Sequence, residues 1–294
     1  MVGRGVLQAL AQRGFGCIAT SRTAPRLMPS GAHWRRWDLE EWKSDSELEN
    51  LFPNVDAVIH LGASVVTDAV NPDDWHRILD ANVRATLCLG SWALGKHIPI
   101  VFLSGAIVYT NPEEAGIRES APKTVRGMGG FYGLSKSMAE DVLLHLAGAG
   151  LRVCILRPSS IYGFGLPERK LITNFLLLAS CGSTIELVPP TDDEVDLLHV
   201  ADVADAILGA LAHEAWGVYN ISSGTPTTIA KIAETCVKVA GQGQIAVKAV
   251  PAGRRRVSRF LTNSDAARRA FGFSPRISLE AGLTRMLREM KERQ

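Results

Sequence analysis

Residues 99–109 read PIVFLSGAIVY, residues 152–160 read RVCILRPSS, and a helical pattern runs from Tyr132 to Leu146 between them. Both apolar runs are short and nearly unbroken, so each predicts a strand that is buried on both faces. Two such strands separated by a helix form a βαβ unit, in which the strands run parallel. These three segments therefore predict an α/β fold with a mainly parallel sheet.

The same alternation continues toward the amino end of the chain. VLQALAQRG at 6–14 predicts a short amphipathic helix, and CIATS at 17–21 predicts a strand. DAVIHLGA at 56–63 predicts another strand, and residues 74–95 have apolar positions at helical spacing. We therefore expect residues 1–158 to form a doubly wound parallel sheet of the Rossmann type.

The second half of the chain has longer loops and clustered prolines. Helical patterns at 168–180, 200–213 and 227–240 alternate there with short strands, and the segment from Ser264 to Met290 is helical and charged. We expect residues 159–294 to form a smaller, partly interleaved α/β substrate-binding domain. GVYNISSG at 217–224 reads as a buried strand, so we expect residues 217–221 to return to the main sheet.

Composition excludes several classes of protein. The 294 residues are 46% hydrophobic and 21% charged, with a net charge of +2, which gives no electrostatic footprint for nucleic acid. No apolar run approaches the length of a membrane helix, and no signal peptide is recognisable, so we expect a cytoplasmic protein. The five cysteines are too scattered for a disulfide framework or a zinc site, and no other metal site is expected.

Tyr132 and Lys136 are the first residues that suggest chemistry. They are four apart on a predicted helix, so the ammonium and the phenol lie on one face. A neighbouring cation favours the phenolate, so we expect the pKa of Tyr132 to be lowered, which would let the phenol exchange a proton with a hydroxyl or ketone. In a chain of this composition, chance alone produces such a pair only occasionally. The pair by itself therefore suggests catalytic chemistry but does not establish it.

Several further segments resemble the extended short-chain dehydrogenase/reductases, the NAD(P)-dependent epimerase/dehydratase family of nucleotide-sugar enzymes. They are listed here in chain order: DAVIHLGA, LDANVRAT, FYGLSKSMAE, ILRPSSIYGFG, VDLLHVADVADAIL, GVYNISSG and FGFSPRISLEAGL. The resemblance covers essentially the whole chain in the order of the family. It implies that Tyr132 donates or accepts the proton, and that Lys136 lowers its pKa and holds the nicotinamide ribose.

The resemblance also implies the binding residues. Those expected at the cofactor are Gly3, Arg22, Asp38, Leu39, Leu61, Gly62, Ala63, Asn82, Tyr132, Lys136 and Pro158. Those expected at the substrate are Ser159, Ser160, Asn174, Arg254 and Arg256, although the two arginines also fit a solvated basic turn. His199 is expected to link the domains, and His60 to be a core histidine that binds a backbone carbonyl.

The third catalytic position departs from the family pattern. Relatives have a serine or threonine four residues before the tyrosine that corresponds to Tyr109, and here that residue is Gly105. Ser104 is one place early, so it serves as the catalytic hydroxyl only if a local irregularity turns it toward the substrate. Otherwise a water, Ser159 or Ser160 would serve. The acidic pair of 4,6-dehydratases is replaced by Ala106-Ile107, which disfavours that reaction.

The opening segment also departs from the pattern. Met1-Val2-Gly3 matches only the last three places of the family's glycine-rich turn, and no strand precedes it. Without that strand, two neighbouring strands would be left with unpaired edges. We expect this chain to bind dinucleotide poorly, with a start codon assigned too late as the leading explanation, ahead of a shortened or a degenerate protein.

Arg22 decides the expected cofactor. It follows the strand CIATS, 19 residues after Gly3, where an acidic residue would bind the ribose of NAD and an arginine accommodates a 2′-phosphate. NADP(H) is therefore favoured and NAD(H) is possible.

The function expected by resemblance is hydride transfer at C4 of a nucleotide-activated sugar, more as a keto-reductase than as a dehydratase. Two alternatives stay open: a carbonyl reductase for a non-sugar metabolite, and a catalytically impaired nucleotide-binding protein. Family members often form homodimers through two helices, which we expect here at 74–95 and 132–147.

Overall fold

The computed structural model describes residues 1–25, 27–66, 71–110, 115–124, 129–249 and 259–292. Within these ranges the α-helices are α1 (Val2–Gln12), α2 (Asp45–Leu51), α3 (Pro72–Leu79), α4 (Ala85–Gly95), α5 (Gly130–Gly148), α6 (Leu171–Ser180), α7 (Val200–Ala212), α8 (Ile229–Ala240), α9 (Asp265–Phe271) and α10 (Leu279–Lys291). The strands are β1 (Cys17–Ser21), β2 (Ala32–Arg36), β3 (Val58–His60), β4 (Ile100–Leu103), β5 (Ala115–Ile117), β6 (Val153–Pro158), β7 (Ser160–Tyr162), β8 (Thr184–Leu187), β9 (Glu194–His199), β10 (Gly217–Ile221), β11 (Pro226–Thr228), β12 (Gln244–Val247) and β13 (Arg259–Thr262).

The main sheet has the order β10-β6-β4-β3, and all of its pairings are parallel. Every residue of β4 and β6 is buried, because helices cover both faces of the sheet. The first core lies on one face and joins α1, α7 and α9 to the sheet, and the second core lies on the other face under α4 and α5. This arrangement confirms the predicted α/β fold.

β1 and β2 form a separate parallel pair beside this sheet. Among the described residues, no strand lies between β1 and β3, so the doubly wound sheet is interrupted at that point. None of the five residues of β1 is fully buried, in contrast to β4 and β6, although three of them are apolar. Among the described strands, β1 therefore pairs only with β2, and β3 pairs only with β4.

Two long segments that were predicted to be helical are each divided into two helices. The pattern at 74–95 is divided into α3 and α4 by a π-helical turn, Asp80–Arg84, in which the Ala85 amide donates to the Asp80 carbonyl. The Thr86 hydroxyl donates to the carbonyl of Asn82 at 2.6 Å, which competes with regular helical bonding in this turn. The tail divides into α9 and α10, because Gly272 ends α9 at φ 67° and Pro275 follows.

The remaining strands belong to smaller sheets. β11, β9, β13 and β5 form one sheet in that order, with β7 also paired to β9, while β12 pairs with β8. α6, α8 and α10 pack together over a third core. β7 begins two residues after β6 ends, so the carboxyl end of the main sheet leads directly into this second group of strands. Among the described residues, no helix is long and apolar enough to cross a membrane.

Candidate active site

The start of α5 holds Tyr132 close to the end of β4. Gly129 and Gly133 permit this approach: a Cβ added to Gly129 would lie 2.5 Å from Cγ1 of Ile107, and one added to Gly133 would lie 3.2 Å from the Ile107 carbonyl oxygen. Ile107 belongs to a 3₁₀ turn, Ala106–Val108, that follows β4. The glycines therefore let the first turn of α5 pack on the segment that carries Ser104 and Gly105.

Lys136 lies one helical turn after Tyr132 and is only 2% exposed. Its Nζ lies 4.1 Å from the centroid of the Phe102 ring, a cation–π distance. Burial lowers the pKa of Lys136 to about 7, and the Glu140 carboxylate opposes this shift. The lysine therefore changes its charge near neutral pH, unlike an exposed lysine.

Tyr132 is partly buried, and burial raises the pKa of its phenol to about 12. The direction is opposite to the lowering expected from the spacing of Tyr132 and Lys136, so that expectation was wrong for this structure. The reason is that burial removes the phenolate from water and so disfavours the charged form. At neutral pH the phenol is protonated and is a proton donor.

Asn82 connects the helix of Tyr132 to the loop after β3. Its Oδ1 accepts the Ser64 amide at 2.7 Å, and its Nδ2 donates to the Ser64 carbonyl at 3.0 Å and to the Ser135 hydroxyl at 2.9 Å. The Ser135 hydroxyl in turn donates to the Tyr132 carbonyl at 2.7 Å. Asn82 is 2% exposed, so in this structure it holds protein segments in place.

Ser104 is 7% exposed, and its Oγ has no hydrogen-bond partner among the described residues. Its amide donates to the Leu156 carbonyl at 2.8 Å, which fixes the backbone at the end of β4. Gly105 has an extended backbone, φ −179°, and an added Cβ would lie 3.4 Å from Cγ2 of Ile107. The backbone therefore does not require glycine at 105, and a hydroxyl at 104 is retained without a structural partner.

Most of the residues expected at the cofactor line one open cavity of about 2350 Å³. These are Gly3, Arg22, Asp38, Leu39, Leu61, Gly62 and Ala63. Leu39 packs directly on the loop after β3, because a Cβ added to Gly62 would lie 2.5 Å from Cδ1 of Leu39. The absence of a side chain at Gly62 thus lets Leu39 pack against this loop, and the residues present fit the adenine half of a dinucleotide.

The other predicted site residues do not line that cavity. Among the described residues these are Ser104, Tyr132, Lys136, Asn82, Pro158, Ser159, Ser160 and Asn174. The Ser159 hydroxyl donates to Asp196 Oδ1 at 2.8 Å, and Ser160 and Asn174 are exposed. Arg254 and Arg256 lie outside the described residues.

A buried ion pair that the sequence patterns did not predict lies beside Lys136. Arg157 donates from Nε to Glu140 Oε1 at 2.9 Å and from a terminal nitrogen to Oε2 at 2.6 Å. Arg157 also donates to the hydroxyl of Tyr109, which donates to Asn220 Oδ1 at 2.6 Å. The sequence feature that could have indicated this pair is that Glu140 and Arg157 are charged residues in otherwise buried segments.

The two histidines are structural. His60 contacts the Thr86 hydroxyl at 3.0 Å through Nε2, so the expected backbone carbonyl is not its partner. The hydrogen of that hydroxyl is donated to Asn82, so Nε2 is the donor to Thr86. Burial lowers the pKa of His60 to about 3, with a smaller effect from Lys136. His199 accepts the Ala201 amide at the start of α7 and packs against the Tyr162 ring.

Among the described residues, no three His, Cys, Asp or Glu side chains lie close enough to hold a metal ion.

Comparisons with known proteins agree with these features. The model of the NAD dependent epimerase/dehydratase family matches residues 1–222. A UDP-glucose 4-epimerase of Azospirillum brasilense is 30% identical over an alignment of 256 positions, which covers 79% of this chain and 71% of that protein. A 2-alkyl-3-oxoalkanoate reductase of Stenotrophomonas maltophilia is 26% identical over an alignment of 331 positions, gaps included, which covers 97% of this chain and 95% of that protein.

A solved structure shares the fold. The UDP-N-acetylglucosamine 4-epimerase of Bacillus cereus superposes with a TM-score of 0.83 at 22% identity, over 99% of this chain and 93% of that one. The family match includes the cavity residues up to Trp216, the loop after β3, α5 and β6, where the cofactor and catalytic residues were expected. The chain therefore belongs to the NAD-dependent epimerase/dehydratase family and is an NAD(P)-dependent enzyme of the extended short-chain dehydrogenase type.

Proposed function

We propose that this enzyme transfers a hydride at C4 of a nucleotide-activated sugar, and that it acts as a keto-reductase in preference to a 4,6-dehydratase. The observation that carries the proposal is the pair Tyr132 and Lys136 on α5, packed against the end of β4. The turn after β4 contains Ala106 and Ile107, which offer no acid or base for a dehydration.

The protonation state of Tyr132 supports the direction of reduction. A phenol whose pKa is about 12 is protonated at neutral pH and can donate to a carbonyl oxygen that becomes an alcohol. When bound, the nicotinamide cofactor supplies the hydride that reaches the same carbon. Lys136, with a pKa of about 7, can return a proton to the tyrosine, and the unpartnered Ser104 hydroxyl is available to hydrogen-bond the reacting oxygen.

Arg22 supports NADP(H) as the favoured cofactor. It is exposed on the bend directly after β1 and lines the same cavity as Asp38 and Leu39. A guanidinium at this position can bind a 2′-phosphate in a bidentate manner. Gly3, Leu61, Gly62 and Ala63 line the same cavity and would hold the rest of the dinucleotide.

A second substrate class is favoured by one comparison. The relative named as a 2-alkyl-3-oxoalkanoate reductase aligns along nearly the whole chain, which supports reduction of a non-sugar ketone as the alternative. For the nucleotide sugar, Ser160 and the exposed Asn174 are the proposed contacts among the described residues. Ser159 donates its hydroxyl hydrogen to Asp196, so it can accept a hydrogen bond from substrate but would have to release Asp196 before it could donate one.

The test is a reductase assay with UDP-, dTDP- and GDP-linked 4-keto sugars, the corresponding free keto sugars and a β-keto acid. Each is run with NADPH and with NADH at millimolar concentration, because the sequence predicts weak dinucleotide binding. We expect turnover only with a nucleotide-linked sugar, and a higher kcat/KM with NADPH. Saturation by the β-keto acid without a nucleotide would select the non-sugar alternative.

The assay is repeated with Tyr132→Phe. This variant keeps the ring but removes the proton donor, so we expect kcat to fall at least 100-fold while NADPH binding, followed by fluorescence titration, stays within twofold. Loss of cofactor binding together with activity would point to a structural role for the tyrosine. An unchanged biological role in this variant, together with retained cofactor binding, would favour the catalytically impaired homologue.

A further inference from the structure

The ammonium of Lys136 is buried without a hydrogen-bonding partner. The residue is 2% exposed, and its Nζ makes no hydrogen bond or ion pair with any of the described residues. An ammonium has three N–H donors, and the burial of a charge is costly unless another group stabilises it. Some neighbouring group must therefore stabilise the charged form that persists near neutral pH.

Glu140, one turn further along α5, is not a direct partner of Lys136. Its two oxygens accept hydrogen bonds from Arg157 at 2.9 Å and 2.6 Å, and Nζ of Lys123 lies 3.6 Å from Oε2. The carboxylate is thus already shared between two cations, and it acts on Lys136 only through space. Its charge opposes the effect of burial without overcoming it, since the pKa of Lys136 stays lowered.

The ring of Phe102 is the group that contacts the ammonium. Nζ of Lys136 lies 4.1 Å from the ring centroid, well within the range of a cation–π interaction. Alternation along β4 places the ring there: Ile100 and Phe102 belong to the second core beneath α5, whereas Val101 and Leu103 belong to the first core. Phe102 is 1% exposed, and a cation–π contact that is shielded from water is stronger than one at the surface.

His60 lies beside the same ring but does not compete for it. The ring centroids of His60 and Phe102 are 5.4 Å apart. Burial, with a smaller effect from Lys136, lowers the pKa of His60 to about 3, so its imidazole is uncharged at neutral pH. The Phe102 ring therefore faces one cation, Lys136, and not two.

The other elements packed on α5 bring few charges to this position. α4 carries no Asp, Glu, Lys, Arg or His along Ala85–Gly95, and the charged residues of α3 and of the turn Asp80–Arg84 are at least partly exposed. Among the described residues, the titratable groups around Lys136 are Tyr132 and Glu140 on α5, His60 on β3 and, through Glu140, Arg157 on β6 and Lys123 before α5.

A ring face differs from a carboxylate in what it leaves unused. It attracts a positive charge but offers no lone pair, so the N–H donors of Lys136 that point away from the ring have no acceptor among the described residues. We propose that Phe102 is a positioning residue of this enzyme: the face of its ring holds the Lys136 ammonium in its charged form and leaves those donors available to the cofactor and to Tyr132. This role depends on the part that Lys136 has in the proposed function, whereas the contact itself is tested without cofactor or turnover.

The experiment replaces Phe102, by site-specific incorporation, with phenylalanines that carry one, two or three ring fluorines. Each fluorine withdraws electron density from the ring face and weakens its attraction for a cation, with little change in shape. The pKa of Lys136 is followed by NMR titration of protein labelled with carbon-13 at the lysine Cε, and its resonance is assigned by its loss in Lys136→Arg. The matched control is the same series at Phe175, which is 8% exposed in the third core.

We expect the pKa of Lys136 to fall with each fluorine at Phe102, by roughly one unit with three, and to stay unchanged in the Phe175 series. Phe102→Leu, which removes the ring face, should lower this pKa at least as far, and Phe175→Leu should not change it. In the reductase assay, the alkaline limb of the pH–rate profile should move to lower pH by the same amount, because activity needs the charged lysine.

An unchanged pKa of Lys136 across the Phe102 series, or an equal fall in the Phe175 series, would overturn the proposal. A stepwise fall in the pKa without movement of the alkaline limb would overturn the positioning role. If the pKa falls stepwise in a protein that reduces none of the substrates in the assay, the cation–π contact is confirmed and the proposed function fails instead.

Discussion

Ser104 has a buried hydroxyl that makes no hydrogen bond within the described structure. Removing this hydroxyl should therefore affect catalysis without lowering the stability of the fold. A buried polar atom without a partner costs about 1–3 kcal/mol, so removing it should not destabilise the fold. We predict that Ser104→Ala lowers kcat about 100-fold while the free energy of unfolding is unchanged or higher, measured by steady-state kinetics and urea denaturation.

The matched control for Ser104 is Thr262→Val. Thr262 in β13 also has a buried hydroxyl oxygen without a partner, but it belongs to a different sheet. This variant should be stable and keep full activity. If Ser104→Ala retained wild-type kcat, the catalytic hydroxyl would have to come from another group, such as Ser159.

His60 makes stability depend on acid pH. Its pKa is about 3 in the fold against 6.5 in an unfolded chain, so below pH 6.5 the unfolded state binds more protons than the folded state. Stability therefore falls as the pH decreases from 6.5 toward 3. We predict that His60 accounts for a loss of roughly 2 kcal/mol between pH 7 and pH 5, measured by urea denaturation at each pH.

The variant that checks this is His60→Gln, in which the amide can still donate to Thr86. Its stability should fall less steeply over the same pH range, and His199 should account for part of what remains, since its pKa is lowered to about 4 by burial. Identical pH profiles for the two proteins would show that His60 is protonated at no cost in the folded state.

At the scale of elements, α5 is tied to β6 by the buried pair of Glu140 and Arg157. Removing one member of a buried, doubly hydrogen-bonded pair leaves the other charge uncompensated and typically costs about 3–5 kcal/mol. We predict this loss for Glu140→Gln, measured by denaturation. Because Glu140 opposes the burial effect on Lys136, the pKa of Lys136 should also fall below about 7, which would shift the alkaline limb of the pH–rate profile to lower pH.

Glu234→Gln is the matched control for this element. Glu234 accepts a bond from Lys231 at the surface of α8, with both side chains more than half exposed. Surface pairs contribute little, so this change should cost less than about 1 kcal/mol. A similar small loss for Glu140→Gln would mean that water solvates the Arg157 guanidinium in place of the carboxylate.

At the scale of the whole molecule, α4 and α5 present an apolar surface. Leu87 on α4 is 45% exposed, and Met138 and Leu144 on α5 are 38% and 39% exposed. The two helices pack side by side, so a second copy could cover both. We predict a homodimer in solution, with twice the mass of one chain by light scattering, and conversion to monomer by Leu87→Arg combined with Met138→Arg.

The control for the dimer is Val188→Arg. Val188 is 58% exposed in the loop after β8, away from α4 and α5, so its replacement should leave the mass unchanged. A monomeric parent protein, or a dimer that survives both substitutions on α4 and α5, would exclude this interface.

Patterns along the chain were sufficient to predict the order of the main elements. Periodicity and apolar runs depend only on neighbours within a few residues. For this reason the predicted strand CIATS coincides with β1, and both ends of the helix predicted for Tyr132 and Lys136 lie within two residues of the ends of α5. The π-helical turn at Asp80–Arg84 could not be predicted in this way. It depends on Asn82 and Thr86 meeting Ser64, Ser135 and His60, which come from distant parts of the chain.

The sequence by itself therefore determined the α/β class, the family and the position of Tyr132 relative to Lys136, since each follows from residue types at short spacing. Only the tertiary structure decided the protonation of that pair, because a pKa depends on how far the surrounding elements exclude water. It also decided that Asn82 is committed to protein contacts and that β1 and β3 border one open space. Both features depend on how segments that are distant in the chain meet in the fold, and local periodicity carries no information about that.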